Sequence, residues 1–494
     1  MDAIFSAMEL LLRWEILAAL LIGSIGGVII GAIPGVGPPV AIAILLPATY
    51  SLDPMVGLIM LLGIYGSAMY GGALPAVLIN TPGTAVNALT TYDGYPMTKA
   101  GQPKRAVALA YSASLVGGLI SVIALIALSP LLALIAPHFG AREIFLVGLL
   151  GMILVVLAHR GAALLAAFTL LFGIFLNSVG LETIRISYRY TFGQNWLSSG
   201  FDLIVIVLGL FAISQALLLL TEKDNSPKLP PLKGGIFEGL GEIVRHKRIA
   251  GVSSGFGVIM GMIPGVGEFT AQFLSYTYAQ RTSKKPEKFG KGSPEGLIAS
   301  EAANNAVPAA AMIPLLALGI PGEALTAMML SVFYVHNVIP GPKLFQNNIE
   351  FVYALYIALA LLNVMVFVFL VFFTNPLIKA IQIPTRFLGM TILTLSFVGT
   401  YSIRNSIVDC AIAAGFGIIG LIFKRTNIPI VPIILGMVLG QIMEEKFRVA
   451  MAKVNTPFDF IARPIAFIIF VLIIIVLIIA VYNPIKSALQ KLRN

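Results

Sequence analysis

Charge is scarce in this chain. Only 11% of its 494 residues are Asp, Glu, Lys or Arg, and 58% are hydrophobic; a soluble domain carries about 25% charged residues. That balance excludes an ordinary soluble protein. Cysteine is nearly absent: Cys410 stands alone, so neither a disulfide framework nor a cysteine-based metal site is available. The four histidines, His138, His159, His246 and His336, are scattered, and no H-E-x-x-H occurs, which leaves a metal enzyme without ligands. His336 precedes I-P-G-P, where a gate would sit, but a plain loop histidine is the simpler reading. No G-x-x-x-x-G-K-[ST] loop is present, so ATP does not drive this chain directly. Early cations are missing too. The start, M-D-A-I-F-S-A-M-E-L, reads as a retained first segment and not as a cleaved signal. The net charge of +10 fits Lys and Arg in short cytoplasmic loops better than a nucleic-acid partner.

What is there is apolar sequence in blocks. Stretches near 16–33, 38–50, 55–79, 106–136, 142–180, 202–220, 249–280, 296–334, 351–373, 386–423, 428–443 and 463–482 imply roughly a dozen membrane segments, some of them too short for one span. Their length and Leu/Ile/Val/Ala content argue for helices and against barrel strands. Trp14, Trp196 and the tyrosines read as interface anchors. The one long polar stretch, Thr221–Arg248, divides the chain into halves 1–220 and 249–494, with 221–248 as a cytoplasmic linker.

The halves share a motif. Gly27–Gly37 reads G-V-I-I-G-A-I-P-G-V-G and Gly257–Gly267 reads G-V-I-M-G-M-I-P-G-V-G, identical at nine of eleven positions and 230 residues apart. Paired, Gly/Pro-broken apolar segments at matching places in two halves are the best sequence pointer to a transport site. Charge placement indicates opposite orientations. The loop after the second motif, Arg281–Lys291, holds five cations and one acid, whereas Pro47–Pro54 holds no cation. Further on the bias reverses: Lys99–Arg105 holds three cations and Gly341–Glu350 is neutral. Under the positive-inside rule the repeats are inverted. The basic ends Arg245–Arg248 and Arg281–Lys291 put both ends of 249–280 in the cytoplasm, with I-P-G-V-G near the turn. The first copy then enters from outside, the N-terminus lies outside, and Lys486, Lys491 and Arg493 favour a C-terminus inside.

Three groups of residues carry candidate chemistry. The first is Pro34, Gly35, Val36 and Gly37 with Pro264, Gly265, Val266 and Gly267. Proline removes a helix donor and glycine permits unusual backbone, and freed N–H and C=O groups at membrane depth are tolerated only in protein or at a wet cavity. Such ends bind anions at N–H groups and cations at carbonyls. The plainer role is a tight turn with G-x-x-x-G helix packing at Gly27/Gly31 and Gly257/Gly261. The second group is Asn80, Thr81, Pro82, Gly83, Thr84 and Asn87 with Gly319, Pro321, Gly322 and Glu323, each set following an upstream proline, Pro75 or Pro314. The neutral donors and acceptors suit carboxylate oxygens or Na⁺, or else bond between helices. The third is Glu301 with Asn304 and Asn305, among alanines. Carboxylates inside a membrane default to function; an interfacial helix end is the alternative, and Glu268 and Glu323 share the ambiguity.

Taken together the motifs resemble the large membrane subunit of the tripartite tricarboxylate transporters, the TctA-type family. The matching stretches are I-P-G-V-G-P (33–38), Y-G-G-A-L-P-A-V-L-I-N-T-P-G (70–83), D-G-Y-P-M (93–97), I-P-G-V-G (263–267), F-L-S-Y (273–276), K-P-E-K-F-G-K-G (285–292), E-A-A-N-N-A (301–306), G-I-P-G (319–322) and P-G-P-K-L-F (340–345), across essentially the full chain. The resemblance implies a small membrane subunit and a periplasmic solute-binding protein as partners. It also implies uptake of a small carboxylate on an Na⁺ or H⁺ gradient, an inner-membrane location, an ion-transporter-like inverted-repeat fold and an elevator-like step. No organic cofactor is implied. Glu268 and Glu323 depart from the family's pattern, where small or hydroxyl residues are usual. A carboxylate beside an anion site repels the substrate unless it is protonated or paired with a cation, which brings in proton coupling. The alternatives are a carrier of another small solute, a channel, or a membrane-embedded enzyme, for which no convergent acid–base or nucleophile set is visible.

Overall fold

The computed structural model describes residues 2–159, 161–182, 186–221, 232, 236–380, 383–454 and 456–493. Residues 222–231 and 233–235 of the expected linker lie outside the described residues. Helices dominate. The one sheet among the described residues is β1 (Gly180–Glu182) paired antiparallel with β2 (Ser187–Arg189). Among the described residues eight helices are long and apolar enough to cross a membrane, and Gly37–Thr49, Ala163–Asn177, Ala324–Val335 and Pro464–Ala480 are apolar but shorter. An all-α polytopic membrane protein with interrupted helices is what the composition implies.

Contacts divide the chain into two compact units, each drawn from two separate stretches of the sequence. The first comprises Met1–Leu134 and Asp202–Asn427. After a short helix at Asp2–Leu11 it runs through α1 (Trp14–Ala32), α2 (Gly37–Thr49), α3 (Pro54–Ile79), α4 (Thr90–Lys99) and α5 (Pro103–Ile135). The span Leu203–Thr221, α6, carries a π-helical stretch at Leu208–Ile213. The repeat follows as α7 (Lys247–Met262), α8 (Gly267–Thr282), α9 (Pro294–Asn305), α10 (Val307–Leu318) and α11 (Ala324–Val335), and then α12 (Ile349–Ala380), α13 (Thr385–Arg404) and α14 (Ile407–Arg425).

The two copies fold alike in detail. Asp53 caps α3 by accepting from the Met55 N–H, and Ser293 caps α9 by accepting from the Gly296 N–H. Where α3 runs unbroken, its counterpart is divided at Ala306, because Pro308 has no N–H to continue the ladder. Ser121 Oγ donates to the Ala306 carbonyl there. Close approach explains the G-x-x-x-G spacing. A Cβ on Gly27 would strike Ile64 and Ser67 of α3, and one on Gly257 would strike the equivalent Ala303 and Ala306; Gly31 and Gly261 face Ala68 and Val307 in the same way.

The second unit comprises Ile135–Phe201 and Ile428–Asn494. Its helices Ala163–Asn177 and Val431–Met451 cross with Gly173 against the Ile433 backbone and Gly436 against that of Leu170. Four charges staple the β-hairpin to the Val431–Met451 helix: Glu444 accepts from Arg189 and Arg448, both at 2.7 Å, and Arg448 also meets Glu182 at 2.5 Å.

Adjacent glycines provide a controlled test of the repeat packing. A Cβ on Gly26 meets nothing within 4 Å, so Gly26→Ala should leave or slightly raise the melting temperature through better helix propensity, about 1 kcal/mol. Gly27→Ala should lower it by several degrees. Equal melting of the two variants by a detergent-compatible thermal assay would refute close α1–α3 packing.

Candidate functional site

The two I-P-G-V-G segments form turns of one geometry. Ile33 is extended at φ −84°, ψ 116°, and Ile263 at φ −89°, ψ 115°. Gly35 and Gly265 then take φ +81° and +80°, a region a side chain would strain. The second pair of breaks also matches. Asn80 ends α3 in the left-handed region at φ 58°, and Gly319 ends α10 at φ 70°. The Thr81 N–H reaches back to the Pro75 carbonyl, as the Ile320 N–H does to Pro314.

One backbone bond closes each pair. The Gly35 N–H donates to the Gly83 carbonyl at 3.1 Å, and the Gly265 N–H donates to the Gly322 carbonyl at 2.6 Å. The close approach at Gly83 is against the backbone of Gly31 and Gly72, leaving no room for a side chain. Thus Pro34–Gly37 is brought to Pro82–Gly83, and Pro264–Gly267 to Pro321–Gly322, although each pair lies far apart in sequence.

The polar side chains divide by role. Asn80 and Thr81 are exposed; Asn80 serves as the left-handed helix end, and Thr81 Oγ1 donates only to the Ile79 carbonyl. Thr84 and Asn87 are buried and joined at 2.5 Å. Asn87 Nδ2 continues to Glu301 Oε1 at 3.2 Å, and Thr90 Oγ1 donates to the same oxygen. Glu301 Oε2 accepts from Ser114 Oγ at 2.9 Å and Asn305 Nδ2 at 3.3 Å. A fully buried carboxylate therefore receives four neutral donors and ties the first copy to α9 of the second. Gln272 of α8 adds a second tie, donating to the Val86 carbonyl.

Glu268 and Glu323 are buried differently. Glu323 sits at the start of α11 with its N–H on Thr326 Oγ1 at 3.0 Å, and its Oε2 lies 3.9 Å from where a Cβ on Gly267 would stand. Among the described residues Oε1 of each glutamate lacks a partner, as do Oδ1 and Nδ2 of Asn304 and Oδ1 of Asn305. None of Glu268, Glu301 and Glu323 forms an ion pair among the described residues. No group of three or more metal-ligating side chains of the His/Cys/Asp/Glu kind is assembled among the described residues.

A separate knot gathers three more of the sequence motifs. Asp93 of D-G-Y-P-M accepts from the Gly292 and Ser293 N–H groups at 2.9 and 2.7 Å and from the Tyr276 hydroxyl at 2.8 Å. Burial raises its carboxyl above the ordinary value, and these donors oppose the shift. Thr90, Ser114 and Gln272 escaped the sequence reading. Their only signal was polarity inside apolar runs, and their partners lie on distant segments.

Comparison with known proteins gives one family. The description "Tripartite tricarboxylate transporter TctA family" matches residues 17–435. A 52.8 kDa protein of Agrobacterium vitis, named for the TAR-I ttuC' 3' region, is 34% identical over 478 residues, covering 95% of this chain and 94% of the relative. A second A. vitis protein, named for the TAR-II ttuC' 3' region, is 33% identical over 236 residues, covering 47% of this chain and 96% of that relative. No solved structure matches.

The Glu301 cluster makes a stability prediction. Each carboxylate oxygen faces one amide N–H donor, so Glu301→Gln must set an NH₂ group against Asn87 or Asn305 in either orientation. One buried unsatisfied donor costs about 1–3 kcal/mol, and the melting temperature should fall by a few degrees. An unchanged melt would mean that the donors find other acceptors.

Proposed function

The chain belongs to the tripartite tricarboxylate transporter TctA family, a family of multi-pass membrane transporters, and we propose that it is the large membrane subunit of a binding-protein-dependent carrier importing a small carboxylate. The observation that carries this reading is the twice-repeated pair of helix breaks closed by the Gly35–Gly83 and Gly265–Gly322 bonds. Broken helices in matching positions of two repeats are where secondary carriers hold substrate and coupling ion. At the first pair of breaks the start of α2 at Gly37 presents backbone N–H groups to the carboxylate, and Asn and Thr side chains orient it. The partners are a small membrane subunit and a periplasmic binding protein that delivers the substrate to the inner membrane. Proteoliposomes holding both membrane subunits and loaded binding protein should accumulate a tricarboxylate such as citrate, or one of a panel of di- and monocarboxylates. Concentrative uptake by this chain alone would overturn the reading.

The coupling ion belongs at the second pair of breaks. Glu268 and Glu323 are buried there without a counter-charge, and an unpaired carboxylate in such a place is held neutral by a proton or paired with Na⁺. Glu323→Gln mimics the protonated form. If Glu323 carries the proton, substrate exchange should persist while acceleration by an inward proton gradient disappears. Retained proton-driven uptake would remove Glu323 from the mechanism, and loss of sodium dependence would make it a Na⁺ ligand.

The repeats face opposite sides of the membrane in this proposal, following the reversed cation bias of their loops. Cysteines placed at Ser51 and Ser283 in a Cys410→Ser background should label from opposite sides with an impermeant thiol reagent. Labelling from one side would refute inversion.

A further inference from the structure

Lys424 stands in the last turn of α14, where a lysine ordinarily extends outward to the membrane surface. Its neighbour Arg425 behaves that way toward the end of α6, donating to Thr221 Oγ1 at 3.0 Å. Lys424 turns back along the span instead. Its Nζ donates to Gln215 Oε1 at 2.7 Å and approaches the Phe211 carbonyl at 3.4 Å, more than two turns before Thr221. Phe211 lies in the π-helical stretch of α6, an irregularity common at functional sites. Both partners are neutral, and Lys424 forms no ion pair among the described residues.

Gln215 connects this charge to the first turn. It is only 5% exposed, its Oε1 is committed to Lys424, and its Nε2 makes no hydrogen bond among the described residues. That Nε2 points at the Gly35 turn, 3.2 Å from where a Cβ on Gly35 would stand. Gly35 itself is exposed. One buried amide therefore spans the distance between an ammonium lacking a counter-ion and an open backbone turn. An ammonium drawn into an apolar span beside neutral acceptors is stabilised by an anion brought to it. The first pair of breaks can receive one. Thr84 stands where the second has Glu323, and Pro38 where it has Glu268.

We propose that Lys424, positioned by Gln215, is the cationic contact for a carboxylate group at the Gly35 turn. This rests on the carboxylate-carrier reading above and adds a charged residue to its site. Gln215→Glu tests it without disturbing shape, because a carboxylate there gives Lys424 an internal partner. The full-length wild-type chain, purified in detergent, should gain thermal stability with citrate, succinate or acetate as probe. Half-saturation should weaken about tenfold or more in Gln215→Glu and Lys424→Gln, and partly recover in Lys424→Arg. A wild-type response retained in Gln215→Glu, which does not depend on Lys424→Gln folding, overturns this inference and leaves the carrier reading standing. No response of the wild type to any carboxylate tells against both. A Lys424-dependent response to phosphatidylglycerol micelles, with none to the free carboxylates, would assign the charge to a lipid headgroup and overturn the proposal.

Discussion

A backbone group that leaves a helix inside a membrane has no water to turn to, and its hydrogen bond must be found within the protein. This chain breaks its helices in two matching pairs and resolves the problem twice in the same way. The N–H exposed by one break donates to the carbonyl exposed by the other, Gly35 to Gly83 and Gly265 to Gly322. Much else follows from that bond. The breaks must touch, so α1 and α3 must run nearly in contact, which requires glycine at Gly27 and Gly31. The chain must reverse sharply, which requires positive φ at Gly35 and at Asn80. The motif repeats because its geometry is an interdependent set.

This explains which parts were legible in the sequence. Pro34-Gly35-Val36-Gly37 and its copy announce a local backbone event, and local events leave local signatures. The apolar blocks announce spans for the same reason. The joining of one break to the other was not legible, since Gly35 and Gly83 are held together by backbone atoms that every residue possesses. Nor was the setting of Glu301, whose donors Asn87, Thr90 and Ser114 come from the first copy while Asn305 shares its helix. Asn80 and Thr81 illustrate the converse. Their polarity marks them as binding residues in the sequence, while their positions are those of a helix end, with side chains exposed.

Motifs without evident chemistry find their place through Asp93. D-G-Y-P-M, F-L-S-Y and K-P-E-K-F-G-K-G have nothing in common as strings, yet Asp93, Tyr276 and the Gly292–Ser293 backbone meet in one hydrogen-bonded knot. The knot joins the segment following the first copy's second break to the basic loop within the second copy. Leu89, Tyr276, Ala279, Phe289 and Ala299 form an apolar cluster around it. Through the knot and the Glu301 cluster the two copies are fastened at two levels, so displacing either copy by itself would break buried polar contacts.

The same backbone built twice would treat a ligand alike at both turns unless side chains distinguish them. They do, and in opposite senses of charge. At the second turn Glu268 and Glu323 put carboxylates beside Gly267, each with an oxygen lacking a partner among the described residues. At the first, Pro38 and Thr84 replace them, and the nearest charge reached through Gln215 is the Lys424 ammonium. N–H groups at a helix start favour an anion; adding a cation reinforces that preference, and adding carboxylates reverses it. Duplication thus supplies two equivalent scaffolds, and a few substitutions make them complementary in charge.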